Sequence, residues 1–564
     1  MTLKLVNFHI MMILVGICLC GLSIASDDTT ITNEDVQTII EQLDNLSDRL
    51  DKLDKSKSKQ PDSRLKKNVK VLKKDIDEMQ DILDVVERKS IVDLVELGAE
   101  LRTRFDWFSF DGHDNIPFTE IQKEPIAKEH VRLLPSNRLR LNLQASIRQS
   151  LRFHSRLVMY KNWADDDQPV YPDVNFLNET RIPTDIHVKV ERAYVDYFFQ
   201  PIEKIPMAFT FGRLPTTDGL PTDLRENTPR KSTYPSMAYN VEKDGLAFSV
   251  DLSKITRMPG SAFRLIYARI YDDNEKYRRW QLLSNKVGVY RVDEQAMEDV
   301  NIIISQFETM FPYPMRDTIF IASFVMIPDC STPDMRFEED LDIFYHNDTG
   351  MLYVDNPGKI GQGYKMTFFI ESKEFMDFDI DWFAGVGYMR TKAEGALKFM
   401  FNPKVLGFQD EPILARDAYN KYKKNLSADM VVLLKQLENA PTPIGLLNDD
   451  GVSDRSGYSV QIGLRYNIPH PAFNYAKIGI EYNHSSRYWM AFADASEDPL
   501  NKLNVRGHAW DFYYIQPINQ YMMFRIGHTI TRHDYDQGLS FYYGQPLAID
   551  HKIMNSYILM DAKF

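Results

Sequence analysis

Cysteine is scarce in this sequence, and long apolar segments are confined to its N-terminus. Cys18 and Cys20 lie inside the apolar run 10–22, and Cys330 is the third and last cysteine. If the N-terminal run is removed, one cysteine is left, so we expect no intramolecular disulfide and no cysteine-based zinc or redox site. Beyond that run, no apolar stretch reaches the roughly 20 residues of a transmembrane helix. A helical membrane domain is therefore excluded after the N-terminal segment.

A net positive charge and the common catalytic motifs are also missing. The formal net charge is −13, which argues against a nucleic-acid partner. The sequence has no Gly-x-Ser-x-Gly, Walker-type or His-Glu-x-x-His motif. These motifs mark hydrolases, nucleotide-binding proteins and zinc proteases. We therefore assign no cofactor and no metal ligand.

The N-terminus has the three parts of a secretory signal peptide. Lys4 gives a basic start, residues 10–22 form the apolar centre, and Ser23-Ile24-Ala25 supplies a small-x-small cleavage site. A membrane anchor is the alternative, but the apolar run is short for a span and no stop-transfer flank follows it. Lipidation of Cys18 or Cys20 is disfavoured, because no small residue directly precedes either one. Residues 1–25 are predicted to be a cleaved signal peptide.

Residues 26–90 follow a heptad pattern. Apolar residues alternate spacings of three and four in two runs, namely Val36, Ile39, Leu43, Leu46, Leu50 and Leu53, then Leu65, Val69, Leu72, Ile76, Met79, Leu83 and Val86. Such spacing keeps one apolar seam towards a partner, which predicts an α-helical coiled coil in the periplasm. The alternative is an amphipathic helix packed on the rest of the protein. The almost wholly polar faces off the seam favour the coiled coil.

Near Asp93 the apolar period changes from 3.5 to 2, which is the period of a β-strand. Leu97, Ala99 and Leu101 alternate with Glu100 and Arg102. Similar alternation recurs at 138–147, 151–159, 378–388, 458–467 and 476–483, and its phase changes at Glu191-Arg192, as a β-bulge would cause. One apolar and one polar face on strand after strand is typical of a barrel in a membrane.

The connections between these segments alternate between short and long. Short links lie around 148–150, 201–205, 254–260, 312–315, 373–376, 468–472 and 517–520; long ones lie at 109–137, 162–185, 215–242, 272–298, 329–360, 391–454, 487–505 and 534–551. Bacterial outer-membrane barrels have this rhythm, because their periplasmic turns are tight and their extracellular loops are long. The last residue, Phe564, ends an alternating strand and resembles the terminal signal read by the barrel-assembly machinery of Gram-negative bacteria. Residues 91–564 are predicted to be an all-β transmembrane antiparallel β-barrel of about 16 strands.

The polar faces of the first strands predict a pore constriction. The candidate basic residues are Arg102, Arg104, Arg138, Arg140, Arg152 and Arg156, and the candidate acids of the third long connection, 215–242, are Asp218, Asp223 and Glu226. In general porins, which this arrangement resembles, the third loop folds inward and places acids across from an arginine wall. The resulting transverse field filters solutes. The alternative is that the arginines pair with strand acids such as Glu100 and Asp106 and merely fill the barrel.

One pair of residues suggests an enzyme. His484 and Ser486 would point to the same side of a strand end, as in the His-x-Ser dyad of outer-membrane phospholipases, where the histidine activates the serine. Tyr488 and Trp489 follow at once and equally indicate an aromatic girdle at a membrane interface. This is the least favoured function, and no catalytic residue is assigned.

Two segments resemble a known family. They are Glu481-Tyr482-Asn483-His484-Ser485-Ser486-Arg487-Tyr488-Trp489, continued by 498–503 and Arg506-Gly507, and Phe211-Gly212-Arg213-Leu214-Pro215-Thr216-Thr217-Asp218-Gly219. With the heptads, they resemble the domain-of-unknown-function 3373 family of proteobacterial proteins. The resemblance implies a barrel and no particular solute.

The sequence thus predicts an outer-membrane porin for passive diffusion of small hydrophilic solutes in a Gram-negative bacterium. The expected partners are outer-membrane lipid and lipopolysaccharide, and the coiled coil is expected to form a homotrimer or to tether the barrel to the envelope. The main alternative is a plugged barrel that displays loops and anchors the envelope. A barrel hydrolase is third.

Overall fold

The computed structural model describes the chain from residue 95 to residue 564 with gaps. The residues outside the description are 1–94, 114–129, 149, 164–187, 203–204, 272–279, 282–288, 292–299, 313–314, 316, 332–335, 338–351, 356–358, 376–377, 397, 427–430, 432–434, 436–444, 471–474, 494–496 and 537–543. The predicted signal peptide and coiled coil lie outside the described residues. Within the described ranges, no helix is long and apolar enough to cross a membrane.

Sixteen strands close into one barrel, and each pairs antiparallel with the next along the chain. They are β1 (Val95–His113), β2 (His130–Arg148), β3 (Leu151–Asn162), β4 (Val188–Ile202), β5 (Ile205–Arg213), β6 (Asp244–Asp251), β7 (Ala262–Tyr271), β8 (Val300–Met310), β9 (Thr318–Ser331), β10 (Lys359–Ser372), β11 (Ile380–Ala393), β12 (Ser456–Asn467), β13 (Lys477–Ser485), β14 (Arg506–Pro517), β15 (Met522–Tyr535) and β16 (Ala548–Lys563). The predicted strand number and antiparallel order are confirmed.

The barrel closes where β16 pairs with β1. The register runs from Glu100 opposite Lys563 to His113 opposite Asp550. At its edge the Phe564 amide donates to the Ala99 carbonyl (2.9 Å), and the Ala99 amide donates to the Phe564 carbonyl (3.2 Å). The last strand is thus paired with the first from Asp550 to Lys563.

The two faces of the strands differ as the alternation predicts. On β1, Leu97 is 61% exposed on the outside, whereas Glu100, Arg102 and Arg104 are buried inside. The same division holds on other strands, with Leu141, Val386, Tyr458, Ile480 and Trp510 among the exposed apolar side chains. In water such a surface would be costly, so the outer wall is suited to hydrocarbon.

The alternation of connections is also confirmed. Short links join β2 to β3, β4 to β5, and every later even strand to the next odd one, so these turns share one end of the barrel. The long connections share the other end. We call these the turn end and the loop end.

The predicted bulge is present in β4. Arg156 of β3 lies opposite Arg192, and Leu157 lies opposite Val190, so Glu191 is the extra residue. Because a bulge rotates the strand by one residue, Glu191 and Arg192 both lie buried on the inner side.

Short elements occupy the connections. They are the helices Thr222–Glu226, Ser253–Thr256 and Ala415–Tyr422, the 3-10 turns Pro403–Leu406 and Lys502–Asn504, and the strands Trp280–Gln281, Val289–Arg291, Arg336–Phe337, Leu352–Asp355, Lys398–Phe401 and Ile413–Leu414. The long connection 391–454 contains the helix Ala415–Tyr422. This helix lies beside a three-stranded sheet formed by Leu352–Asp355, Lys398–Phe401 and Ile413–Leu414.

Candidate functional site

The third loop, residues 215–242, folds into the lumen. Leu220, Leu224, Met237 and Tyr239 of this loop are each at most 2% exposed. The loop contacts strands five positions apart around the barrel, because Arg192 of β4 donates to the Thr217 carbonyl (2.6 Å) and Arg525 of β15 donates to the Arg225 carbonyl (2.7 Å). The inward fold that the sequence resemblance implied is therefore present.

One side of the third loop is attached by apolar contacts. Leu220 and Leu224 pack with three buried side chains of β9, β10 and β11, namely Ile321, Phe369 and Phe383. The rings of Phe369 and Phe383 stack with centroids 6.0 Å apart. In a ring of sixteen strands β10 lies opposite β2, so we call β9 to β12 the far wall.

The other side of the third loop is attached by ion pairs. Arg102, Arg138, Arg140 and Arg156 project inward from β1, β2 and β3, and we call them the arginine wall. Their pairs with the loop are Arg102–Glu226 (2.6 Å), Arg138–Glu226 (3.9 Å), Arg140–Asp218 (3.2 Å) and Arg156–Asp218 (3.0 Å). The acids thus touch the arginines and do not face them across a gap.

The remaining three candidates lie elsewhere. Arg104 pairs with Asp106 of its own strand (2.8 Å). Arg152 is exposed near the turn end, with its guanidinium 5.1 Å from the centre of the Phe198 ring. Asp223 reaches the far wall, where the Lys373 amine donates to it (2.5 Å).

Sequence reasoning missed a second inward loop, residues 486–505. Its described parts, 486–493 and 497–505, include Trp489, Ala491, Asn501 and Val505, each at most 1% exposed. Long loops of this kind are expected to lie outside a barrel. Nothing in the local sequence indicates that this one turns inward, since its apolar residues also suit an interface girdle.

Glu497 of the second inward loop belongs to the arginine wall. It pairs with Arg102 (2.8 Å), makes still closer contacts with Arg138 and Arg140, and accepts from the Tyr160 hydroxyl (3.2 Å). Two carboxylates therefore reach the wall from the third loop and one from the second inward loop.

Strand residues complete this network. Glu191, which the bulge turns inward, is 0% exposed and binds Arg140 (2.8 Å) and Arg156 (3.4 Å). The ion pairs of the described residues join seven basic groups, Arg102, Arg138, Arg140, Arg156, Arg192, Lys231 and Lys563, to six carboxylates, Glu100, Glu191, Asp218, Glu226, Glu497 and Asp561. One positive charge is in excess.

The loop carboxylates are ionised despite their burial. Burial raises the pKa of the Asp218 carboxyl, but Arg140, Lys231 and Arg192 outweigh burial and hold that pKa below its usual value. Burial acts in the same direction on Glu226, where Arg102, Lys231 and Arg138 hold the pKa well below its usual value. Both acids therefore carry charge at neutral pH.

Two cavities adjoin the network. A cavity of about 50 Å³ lies between the two inward loops and is lined by Arg102, Glu226, Glu497 and Arg525 among others. This volume admits a few water molecules. A larger cavity of about 340 Å³ opens beside the turn-end halves of β1 to β4, lined by His154, Arg156, Arg192 and Tyr194 among others.

The possible catalytic pair has other partners. The Nδ1 atom of His484 bonds to the Gly507 carbonyl (2.8 Å), and the Ser486 hydroxyl accepts from the Tyr458 amide (2.8 Å). The His484 ring stacks on that of His508, with centroids 4.5 Å apart. These contacts fit an outer aromatic patch. Among the described residues, no group of three or more metal-ligating side chains occurs.

A family model described as "Protein of unknown function (DUF3373)" matches residues 128–563. The chain belongs to this family. No curated protein matches it.

Several solved structures resemble the chain over most of its length. OprB of Pseudomonas putida is 10% identical with a TM-score of 0.42, over 85% of this chain and 96% of that chain. An anion-selective porin from Comamonas acidovorans is 8% identical with a TM-score of 0.41, over 83% and 99%. The outer-membrane channel DcaP of Acinetobacter baumannii is 9% identical with a TM-score of 0.37, over 83% and 97%. The barrel assignment rests on the strand pairing itself and not on these similarities.

Proposed function

We propose that this protein is a porin-like channel of a Gram-negative outer membrane that passes small hydrophilic solutes by diffusion. The supporting observation is a closed barrel with an apolar outer wall, a charged inner wall and a third loop bound across the lumen. An apolar exterior suits the bilayer, and a polar interior suits water and hydrophilic solutes.

The constriction of this channel is assigned to the arginine wall with Asp218 and Glu226. Because acids and arginines are in contact, the network presents closely spaced dipoles to a solute, and not a field across a wide gap. Its single excess positive charge favours a weak preference for anions. Arg104, Arg152 and Asp223 are then outside the narrowest part.

The predicted coiled coil has a separate role in this proposal. An exported chain with residues 26–90 ahead of the barrel would hold that segment on the periplasmic side, since the turn end carries the start of β1. There it would join three barrels or tether one barrel to another envelope component. Lipid and lipopolysaccharide would surround the outer wall.

The test is single-channel conductance of the refolded barrel in a planar bilayer. The wild type is compared with a chain carrying Asp218→Ala, Asp223→Ala and Glu226→Ala. A steady wild-type conductance that changes in size and in ion preference in the variant supports the channel and its third-loop constriction. A silent bilayer with a verified folded barrel overturns the proposal.

A plugged barrel is the second candidate, and the burial of the network favours it. Arg140 is 0% exposed and Arg138 is 3% exposed, whereas water in an open pore would reach such side chains. This protein would display its loop end and anchor the envelope without transport. Absence of conductance in every variant, with folding intact, distinguishes this candidate from the first.

A further inference from the structure

The second inward loop is anchored on both sides of the lumen. Glu497 joins it to the arginine wall through Arg102, Arg138 and Arg140. On the far wall, Lys365 of β10 donates from Nζ to the carbonyls of Ala491 (2.8 Å) and Met490 (3.2 Å). The loop is therefore held at the arginine wall by its own Glu497 carboxylate and at the far wall by the Lys365 amine.

The Lys365 anchor differs from the other basic groups of the lumen. It is 2% exposed, and its described partners are two carbonyls and two aromatic rings, Trp489 at 4.5 Å and Phe492 at 5.1 Å. A buried amine that donates to carbonyls and packs between ring faces has no replacement for these partners except water. If the loop left the lumen, Lys365 would face open solvent.

The far wall also has space shaped for this loop. A Cβ added at Gly387 of β11 would lie 2.3 Å from the Trp489 ring, and one added at Gly457 of β12 would lie 2.6 Å from the Trp489 amide. The ring end of a buried tryptophan cannot yield as a flexible chain would. The glycine at 387 thus admits Trp489 against the strand.

We propose that the second inward loop is a specificity element of the lumen, which limits solute size through its anchors Glu497 and Lys365 and sets charge preference through Glu497. This inference rests on the channel proposed above. The loop places one carboxylate on the arginine wall and accepts hydrogen bonds from the Lys365 amine on the far wall. Loss of either anchor therefore widens the path, and loss of Glu497 also changes its charge.

The experiment measures conductance and reversal potential of the full chain in a salt gradient for three variants. Glu497→Gln removes a negative charge, Lys365→Met removes the Nζ donor of the far-wall anchor, and Gly387→Ala alters no charge but displaces Trp489. We expect each to raise conductance about twofold or more, because a loop leaves the water-filled cross-section. The reversal potential should move towards anions for Glu497→Gln.

Asp196→Asn is the matched control. Asp196 is a partly buried lumen-side acid near the turn end that binds Thr210 and His154. Its removal changes charge as Glu497→Gln does, without touching an anchor, so only the reversal potential should move. A rise in conductance for Glu497→Gln with no rise for Lys365→Met or Gly387→Ala would reduce the effect to charge alone and overturn the inference.

Labelling gives a second readout on the same loop. In a chain carrying Cys18→Ser, Cys20→Ser and Cys330→Ser, Ala491→Cys should react slowly with a water-soluble thiol reagent and much faster once Lys365→Met is added. A conducting wild type with unchanged conductance and labelling in the variants overturns the inference and leaves the channel standing. A silent wild type beside silent, folded variants overturns the channel itself.

Discussion

The two walls of the lumen hold the third loop by different physics. The far wall uses mainly apolar packing of Leu220 and Leu224 on Phe369 and Phe383, with the single ion pair Asp223–Lys373 at its end. The arginine wall uses ion pairs to Asp218 and Glu226. Apolar contacts tolerate changes of pH, whereas a buried ion pair fails when either partner loses its charge. The first attachment positions the loop, and the second determines what a solute meets.

Among the substitutions that compare the two walls, removal of Arg140 should lower the free energy of unfolding the most. In Arg140→Gln, Glu191 and Asp218 stay buried without their main counter-charge, which should lower the free energy of unfolding by about 3–5 kcal/mol. Urea unfolding, followed by the change in gel mobility of the folded barrel, measures it. A loss no larger than that of Leu224→Ala would mean that the network is screened by water.

Truncation on the far wall should have a smaller effect. Leu224→Ala leaves a cavity beside Ile321 and Phe383 and should cost about 2–4 kcal/mol. This loss should be the same at pH 5 and pH 8, because no titrating group is removed. A pH-dependent loss in the same urea assay would show that the two walls are coupled through the loop.

Acidification should weaken only the ionic attachment. The folded pKa values of Asp218 and Glu226 lie below their usual values of 3.8 and 4.5. Their contribution is therefore fully present above those usual values and is lost as pH falls through the folded ones. Titration of Asp218 and Glu226 should therefore not change the stability of the wild type between pH 7 and pH 5. Asp218→Asn with Glu226→Gln should be less stable at pH 7 and less sensitive below pH 4, as acid titration monitored by tryptophan fluorescence would reveal.

The smallest effect is expected at Arg152. Its exposed guanidinium contacts the Phe198 ring, and such a contact is worth about 0.5–1 kcal/mol. Arg152→Gln should therefore change stability by less than about 1 kcal/mol and leave ion preference unchanged in bilayer recordings. A clear shift in reversal potential would show that Arg152 contributes to the constriction after all.

The local sequence pattern predicts the barrel but only part of the structure inside the lumen. Strand period and connection length are local, so the alternation at 97–102 and the sixteen-strand order follow directly from them. The bulge at Glu191 also shows in the sequence as a change of phase. The bulge places the Glu191 carboxylate between Arg140 and Arg156. The alternation of β4 alone does not predict this contact, because the two arginines belong to other strands.

The loops are the part that sequence alone does not determine. Asp218, Asp223 and Glu226 are close in sequence, yet Asp223 reaches Lys373 on the far wall. Along an irregular loop, side-chain direction has no fixed period. Glu497 lies 359 positions from Arg138, and no pattern within either segment indicates that contact. The alternation of β3 correctly places Arg152 on the inner face. It does not show how far along the barrel axis a residue lies, and Arg152 lies too near the turn end to join the constriction.

The seam between β1 and β16 has a kinetic consequence. Arg102 and Asp561 form an ion pair 459 positions apart in the chain (2.7 Å). Contacts between residues so far apart in sequence form slowly, because the entropy of a long stretch of chain is lost before the contact stabilises the fold. The fifteen pairings between consecutive strands can form one after another, but the barrel closes only when β16 pairs with β1. Until then both edge strands offer unpaired amides and carbonyls to other chains. Assembly is therefore most vulnerable at its last step, and a buried charge pair at the join rejects a slipped register there.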